Sequence, residues 1–182
     1  MPATPQQRMT VDEFLVCAEP LPGRRELHDA VVITMSARRV GHATVKFSVQ
    51  RALGEAIKRS DLDCHAMPDG ITVRINAQTC YEPDALVYCG PPADPQALEI
   101  TNAVIVVEVL SPSTQHIDIE RKLAGYFAVP SVLHYLIIDP DGPPVVHHRR
   151  QPAGTILTAI VPAGSIVLAP PGIVLDVASF FG

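Results

Sequence analysis

No apolar run in this 182-residue sequence approaches the ~18 residues needed to span a bilayer, so no helical membrane span is expected. The opening residues, MPATPQQRMTVDEF, lack an apolar signal core followed by a small-residue cleavage site, and the cytoplasm is the expected compartment. Cys17, Cys64, Cys80 and Cys89 form no CxxC pair and keep no regular spacing. A structural zinc site needs close ligand pairs, so these four are expected to be reduced, mostly buried thiols. Net positive charge is also missing: 14 Lys and Arg stand against 19 Asp and Glu, a formal charge of −5. That counts against nucleic-acid affinity spread over the whole surface, though not against a local basic patch. Arg24-Arg25, Arg38-Arg39 and His147-His148-Arg149-Arg150 are the clusters of this kind, and each reads first as a solvated face. Neither an internal repeat nor a low-complexity linker interrupts the chain.

What is present describes a folded protein. With 47% hydrophobic and 18% charged residues, one domain over residues 1–182 with one core is expected. The 18 prolines and 11 glycines punctuate short elements, pointing to a mixed α/β (α+β) class. Thr10 caps a helix over Val11–Ala18, with Glu13 at capping-box spacing. Arg25–His28 and Val31–Met35 read as strands turned at Asp29-Ala30. Val45, Val49, Leu53 and Ile57 give His42–Arg59 one apolar face, hence a helix. Strands are expected at Asp63–Met67, Ile71–Ile75, Ala85–Tyr88 and Val104–Leu110, then a helix at Asp118–Ala128 and a strand at Val132–Ile138. Val145–His148, Ile156–Val161, Ile166–Leu168 and Ile173–Leu175 form a β-rich C-terminal extension, closed by Val177–Phe181. A sheet with helices packed on it accommodates this order.

Glu108 is out of place. It interrupts Val104-Ile105-Val106-Val107-Glu108-Val109-Leu110, a run that reads as a central strand covered on both faces. An unpaired carboxylate there costs several kcal/mol. Either Glu108 lies at the strand end and reaches solvent or an arginine, or it is neutralised by protonation, a cation or a metal. Asp84 follows Pro83 and opens the strand Ala85–Tyr88, which places it near a sheet end, where carboxylates from different strands converge. A hard divalent ion takes one or two such carboxylates plus water and substrate oxygens. Lys122 shares a helical edge with Asp118 and Tyr126 at four-residue steps; it either pairs with Asp118 or leans over the strand end to meet Glu108. Glu26 is a fourth candidate, and His42 opens the long helix.

Taken together, these segments resemble one family. Arg25-Glu26-Leu27-x-Asp29, Met35-Ser36, His42 at a helix start, Pro83-Asp84, Glu108-Val109-Leu110-Ser111-Pro112-Ser113-Thr114, Asp118, Lys122, Tyr126 and Tyr135-Leu136-Ile137-Ile138-Asp139-Pro140 are similar to the Uma-two family of restriction-endonuclease-like proteins. The resemblance runs from Met9 to about Phe181. It implies the PD-(D/E)XK nuclease superfamily and a restriction-endonuclease-like core, with a mixed central β-sheet flanked by helices. It further implies Mg²⁺ or Mn²⁺ held by Asp84, Glu108 and the backbone carbonyl of Val109, with Glu26 and Lys122 completing a catalytic set. The usual motif places Lys two residues after Glu; here that position is Leu110, and the migrated role falls to Lys122. Relatives carry Gly where this chain has Ala30, so a turn needing positive φ is expected to be strained.

The expected function is therefore metal-dependent hydrolysis of phosphodiester bonds in nucleic acid, DNA ahead of RNA. A second reading is a non-catalytic nucleic-acid- or protein-binding module on the same fold, and a third is a hydrolase of smaller phosphate esters. A Ser-His-Asp enzyme is poorly supported, since Ser111 and Ser113 sit in no G-x-S-x-G elbow. His147 and His148, adjacent on a strand, face opposite sides and are not expected to share a metal. The apolar content of Ile156–Leu175 suggests pairing between two copies, a homodimer.

Overall fold

The computed structural model describes residues 8–35, 39–111 and 117–181. Ser36, Arg38, Pro112, Ser113, Thr114 and the side chain of Asp118, singled out above, lie outside the described residues.

Helix α1 (Val11–Ala18) starts on the predicted capping box: Glu13 N–H donates to Thr10 Oγ1 at 3.3 Å, and Thr10 N–H donates to Glu13 Oε2 at 2.7 Å. Its Val11 and Phe14 pack on Leu27 and Cys80. Strands β1 (Arg25–His28) and β2 (Val31–Thr34) form a hairpin turned by Asp29 and Ala30, with φ of 49° and 69°. Two left-handed residues suit the twist of a two-residue hairpin, and Ala30 meets the strain expected of a residue with a Cβ. Helix α2 (Val40–Ser60) buries Val45, Val49, Ala52, Leu53, Ala56 and Ile57.

The remaining elements are β3 (Cys64–Pro68), β4 (Val73–Asn76), β5 (Thr79–Tyr81), β6 (Ala85–Cys89), β7 (Ala103–Val109), α3 (Ile117–Ala128), β8 (His134–Ile138), β9 (Val145–Arg150), β10 (Ile156–Val161), β11 (Ser165–Leu168) and β12 (Ile173–Asp176), followed by a 3-10 helix, Val177–Phe180. A six-stranded sheet has the order β10-β9-β8-β7-β6-β3, and a four-stranded sheet the order β2-β1-β5-β4. Within the large sheet β7 and β8 are parallel, as the intervening α3 crossover allows, while the other neighbours are antiparallel.

Pleating decides which way Glu108 points. Ile105, Val107 and Val109 join α2, the β11–β12 hairpin and Phe180 in one core. Val106 belongs to a second core on the opposite face, with Tyr81, Tyr126, Tyr135 and Ile137. Period-two alternation puts Glu108 on the Val106 side, under α3. Ile166, Leu168, Ile173 and Leu175 are buried against α2, so part of the apolar C-terminal extension is consumed within the chain.

Two expectations need correction. Cys64 and Cys89 are not reduced thiols: they are disulfide-bonded, directly opposite each other across β3 and β6. Their separation of 25 residues hides a pairing that only the strand register creates. Cys80 is a buried free thiol as expected, and Cys17 is exposed. The His147–Arg150 cluster is not a solvated basic face either. Both histidines are buried, and Arg150 Nη2 donates to the carbonyls of Phe127 and Val129 at 2.7 and 3.0 Å, closing the C-terminal end of α3.

Candidate active site

The ends of β6 and β7 lie side by side, with Ala85 opposite Val107. Asp84, one residue before β6, therefore sits beside the last residues of β7. Its N–H donates to Val107 O at 2.9 Å, and its Oδ2 accepts from Val109 N–H at 2.8 Å. Its Oδ1 accepts from Arg24 Nη1 at 2.7 Å. Lys46 Nζ stands 3.8 Å from Oδ1, and His42 Nε2 stands 3.8 Å from Oδ2. His42, in the first turn of α2, also donates from Nε2 to the Val109 carbonyl at 2.9 Å.

Glu108 is buried, only 5% exposed, and pairs with no arginine among the described residues. Its Oε1 accepts from Lys122 Nζ at 2.9 Å and from Tyr126 O–H at 2.7 Å. Lys122 and Tyr126 are one helical turn apart on α3, so a single helix edge delivers both donors. Lys122 Nζ also donates to Glu26 Oε1 at 2.8 Å. Glu26, on β1, further accepts from Glu82 N–H at 3.1 Å and from His28 Nε2 at 2.8 Å.

The two carboxyls that share Lys122 differ in acidity. Burial pushes Glu108 up to about 7; Lys122 opposes this, while the charges of Asp84 and Glu26 reinforce it. Glu26 suffers the same desolvation, but Lys122, His28 and the Glu82 N–H together hold it down at about 2. More donors on Glu26 and more nearby negative charge on Glu108 account for the split. Burial, then the neighbouring Glu108, raises Tyr126 well above the ordinary phenol range, keeping it a donor.

The structure thus brings Glu26, Asp84, Glu108 and Lys122 into one cluster, with the Val109 N–H on Asp84 and the Val109 carbonyl on His42. Sequence reasoning missed Arg24, placing it in a solvated pair with Arg25. Its side chain is only 18% exposed, and it donates from Nε to Glu82 Oε1, from Nη2 to Glu82 O and from Nη1 to Asp84. It also missed Lys46, whose Nζ lies 2.6 Å from Asp69 Oδ2, and Glu82. The available signal was density of charge: Arg24, Arg25 and Glu26 lead into β1, and Glu82 and Asp84 lead into β6. Among the described residues, this network joins five carboxylates (Glu26, Asp69, Glu82, Asp84, Glu108) to three Lys and Arg side chains (Arg24, Lys46, Lys122).

A family model described as "Putative restriction endonuclease", Uma2, matches residues 11–178. The chain belongs to this Uma-two family. Two relatives come from Synechocystis. "Uncharacterized protein slr1290" is 26% identical over 138 residues, covering 75% of this chain and 72% of the relative. "Uncharacterized protein sll1609" is 23% identical over 144 residues, covering 78% and 81%. Among solved structures, the fold resembles that of "a putative nuclease belonging to DUF820 from Anabaena variabilis", with a TM-score of 0.70 at 17% identity, over 95% of this chain and 97% of that one. The mixed α+β architecture is therefore a restriction-endonuclease-like nuclease fold, and membership of Uma2 supports nuclease function at the level of the family.

Proposed function

We propose that this chain is an endonuclease that hydrolyses phosphodiester bonds of nucleic acid, DNA in preference to RNA, with Mg²⁺ or Mn²⁺. The observation that carries this reading is the convergence of Asp84 and Glu108 from adjacent strand ends, with Lys122 reaching Glu108 from the following helix. The family's description as a restriction endonuclease supports DNA as substrate.

The donor set fits a hard divalent cation. Five carboxylates against three basic side chains leave two negative charges in excess when all are ionised. No cluster of three or more His, Cys, Asp or Glu side chains suited to a metal occurs among the described residues. Asp84, Glu108 and the second lone pair of the Val109 carbonyl would hold the ion, leaving its other positions to water and substrate, as is usual for Mg²⁺. When bound, such an ion polarises a phosphoryl oxygen and lowers the pKa of its water. Lys122 offers a fixed positive charge to the developing charge on the phosphate. Glu26 and Tyr126 orient that ammonium and Glu108; they act as positioning residues.

Plasmid nicking in Mg²⁺ or Mn²⁺ tests the proposal: Glu108→Ala is expected to lower the rate by about 100-fold or more. Equal rates in wild type and variant would sink it. The second reading, a non-catalytic module, is favoured by the −5 charge and by donors already occupying both oxygens of Asp84. That reading predicts no Mn²⁺-dependent heat that vanishes in Asp84→Ala.

A second copy of the chain is the proposed partner. β10 is an edge of the large sheet, and its Leu157 and Ile160 are 50% and 69% exposed. No described helix is long and apolar enough to cross a membrane. The cytoplasm remains the proposed location, without support from the disulfide-bonded pair.

A further inference from the structure

We infer that Arg24 is an internal counter-cation: it occupies Asp84 in the metal-free protein and yields that carboxylate to an incoming divalent cation. This rests on the metal-dependent reading above and extends it to a residue with no assigned part in it.

The two oxygens of Asp84 are held differently. Oδ2 accepts from the backbone N–H of Val109, the last residue of β7, and that donor is fixed by the strand. Oδ1 accepts from a side chain, Arg24 Nη1 at 2.7 Å, with Lys46 Nζ at 3.8 Å. A cation approaching Asp84 therefore meets one rigid donor and one displaceable one, and the displaceable donor already carries positive charge.

Arg24 keeps a second partner when it leaves Asp84, and the incoming cation takes over the carboxylate's charge. Its guanidinium makes two further bonds, from Nε to Glu82 Oε1 and from Nη2 to Glu82 O. Asp69 Oδ2 lies 3.8 Å from Nε. Releasing Asp84 gives up the Nη1 bond, and because the guanidinium is a rigid plane the Glu82 side chain moves with it to keep the Nε bond. Open space adjoins the side chain. Arg24 borders a cleft of about 290 Å³ that Leu21, Arg25 and Leu98 also line. The charge balance favours the exchange, because the carboxylates of the network outnumber its Lys and Arg side chains and a dication offsets that excess.

Competition of this kind has a signature that a structural salt bridge lacks. The apparent affinity for the ion is reduced by the fraction of molecules in which Asp84 is occupied, so removing the competitor tightens binding. An arginine that merely braces the fold keeps its bond to Asp84 when the ion binds, so its removal lowers stability and relieves only its through-space repulsion of the ion.

The test is Mn²⁺ calorimetry on wild type, Arg24→Ala, Arg24→Gln and Asp84→Asn, with thermal midpoints measured in chelator. Arg24→Gln keeps an N–H donor for Glu82 and serves where the alanine variant does not fold. The expected result is Mn²⁺ affinity about tenfold higher in the Arg24 variants, with a lower metal-free midpoint and a larger Mn²⁺-induced rise. Heat in wild type that Asp84→Asn removes, with equal or weaker binding in both Arg24 variants, overturns the counter-cation while leaving the metal site standing. Absence of Mn²⁺ heat in wild type and both Arg24 variants, or heat that survives Asp84→Asn, overturns the metal reading and the inference with it. The exchange can also be followed without substitutions: the ¹⁵N resonance of Arg24 Nε is expected to shift on adding Mg²⁺ to the wild type, and an unmoved resonance contradicts it.

Discussion

Lys122 stands between two buried carboxylates, 2.8 Å from Glu26 and 2.9 Å from Glu108, and is itself 2% exposed. Removing it leaves two acids facing each other without a cation. Lys122→Met is expected to cost about 3–5 kcal/mol in the metal-free protein, read as the shift in urea midpoint. Loss of under about 1 kcal/mol would mean that Lys122 is not the pair's shared partner. A second prediction concerns pH. His134 Nε2 donates to Pro170 O at 2.8 Å, so its Nδ1 accepts from His147 Nε2 at 2.9 Å, an arrangement of two neutral rings. Burial lowers His134 to about 4, and burial with the neighbouring His134 lowers His147 to about 4. The folded values lie below the ordinary 6.5, so between 6.5 and 4 the unfolded chain binds more protons than the folded one. The contribution of this pair is full above that window and is lost as pH falls through it. Urea midpoints at about pH 7 and about pH 5 should therefore fall more for wild type than for His134→Gln/His147→Gln; parallel falls would contradict the assignment.

Helix α3 supplies both donors to Glu108, and its placement depends on a glycine. A Cβ built on Gly125 would lie 2.6 Å from Cε2 and 2.9 Å from the hydroxyl of Tyr81. Tyr81 is buried edge-on against Tyr126, with ring centroids 5.3 Å apart, so it has little room to retreat. Ala is the better helix former by about 1 kcal/mol, yet Gly125→Ala is expected to destabilise by about 1–3 kcal/mol and to lower nicking activity. A stabilised variant would show that α3 does not press on Tyr81. The same scale separates what the sequence reveals from what it hides. α1, α2 and β7 are legible because capping chemistry, a four-residue apolar step and a β-branched run interrupted once, by Glu108, are local signals. β5 escapes notice, being only the three residues Thr79–Tyr81 with no room for a period. Asp84 and Glu108 stand out because a proline and an apolar run frame them. Arg24 does not, because neighbouring residues on an extended segment face opposite ways, and a charged pair can send one member inward and the other out. The Cys64–Cys89 bond is invisible for a related reason: it depends on the register of β3 against β6.

On the scale of the whole molecule, the six-stranded sheet ends on one side at β10. Pairing of two such edges would cover Leu157 and Ile160. Sedimentation is expected to give twice the 19.6 kDa chain mass, and Ile160→Lys to give one chain. A monomer mass for the wild type at working concentration would refute the dimer. Nuclease chemistry at this site depends on whether two carboxylates from adjacent strands hold the same ion. The most direct measurement is anomalous diffraction from crystals soaked in Mn²⁺. The expected map has one peak in contact with the carboxylates of both Asp84 and Glu108. A map with no peak between them, or with manganese bound only elsewhere, would contradict the shared metal site.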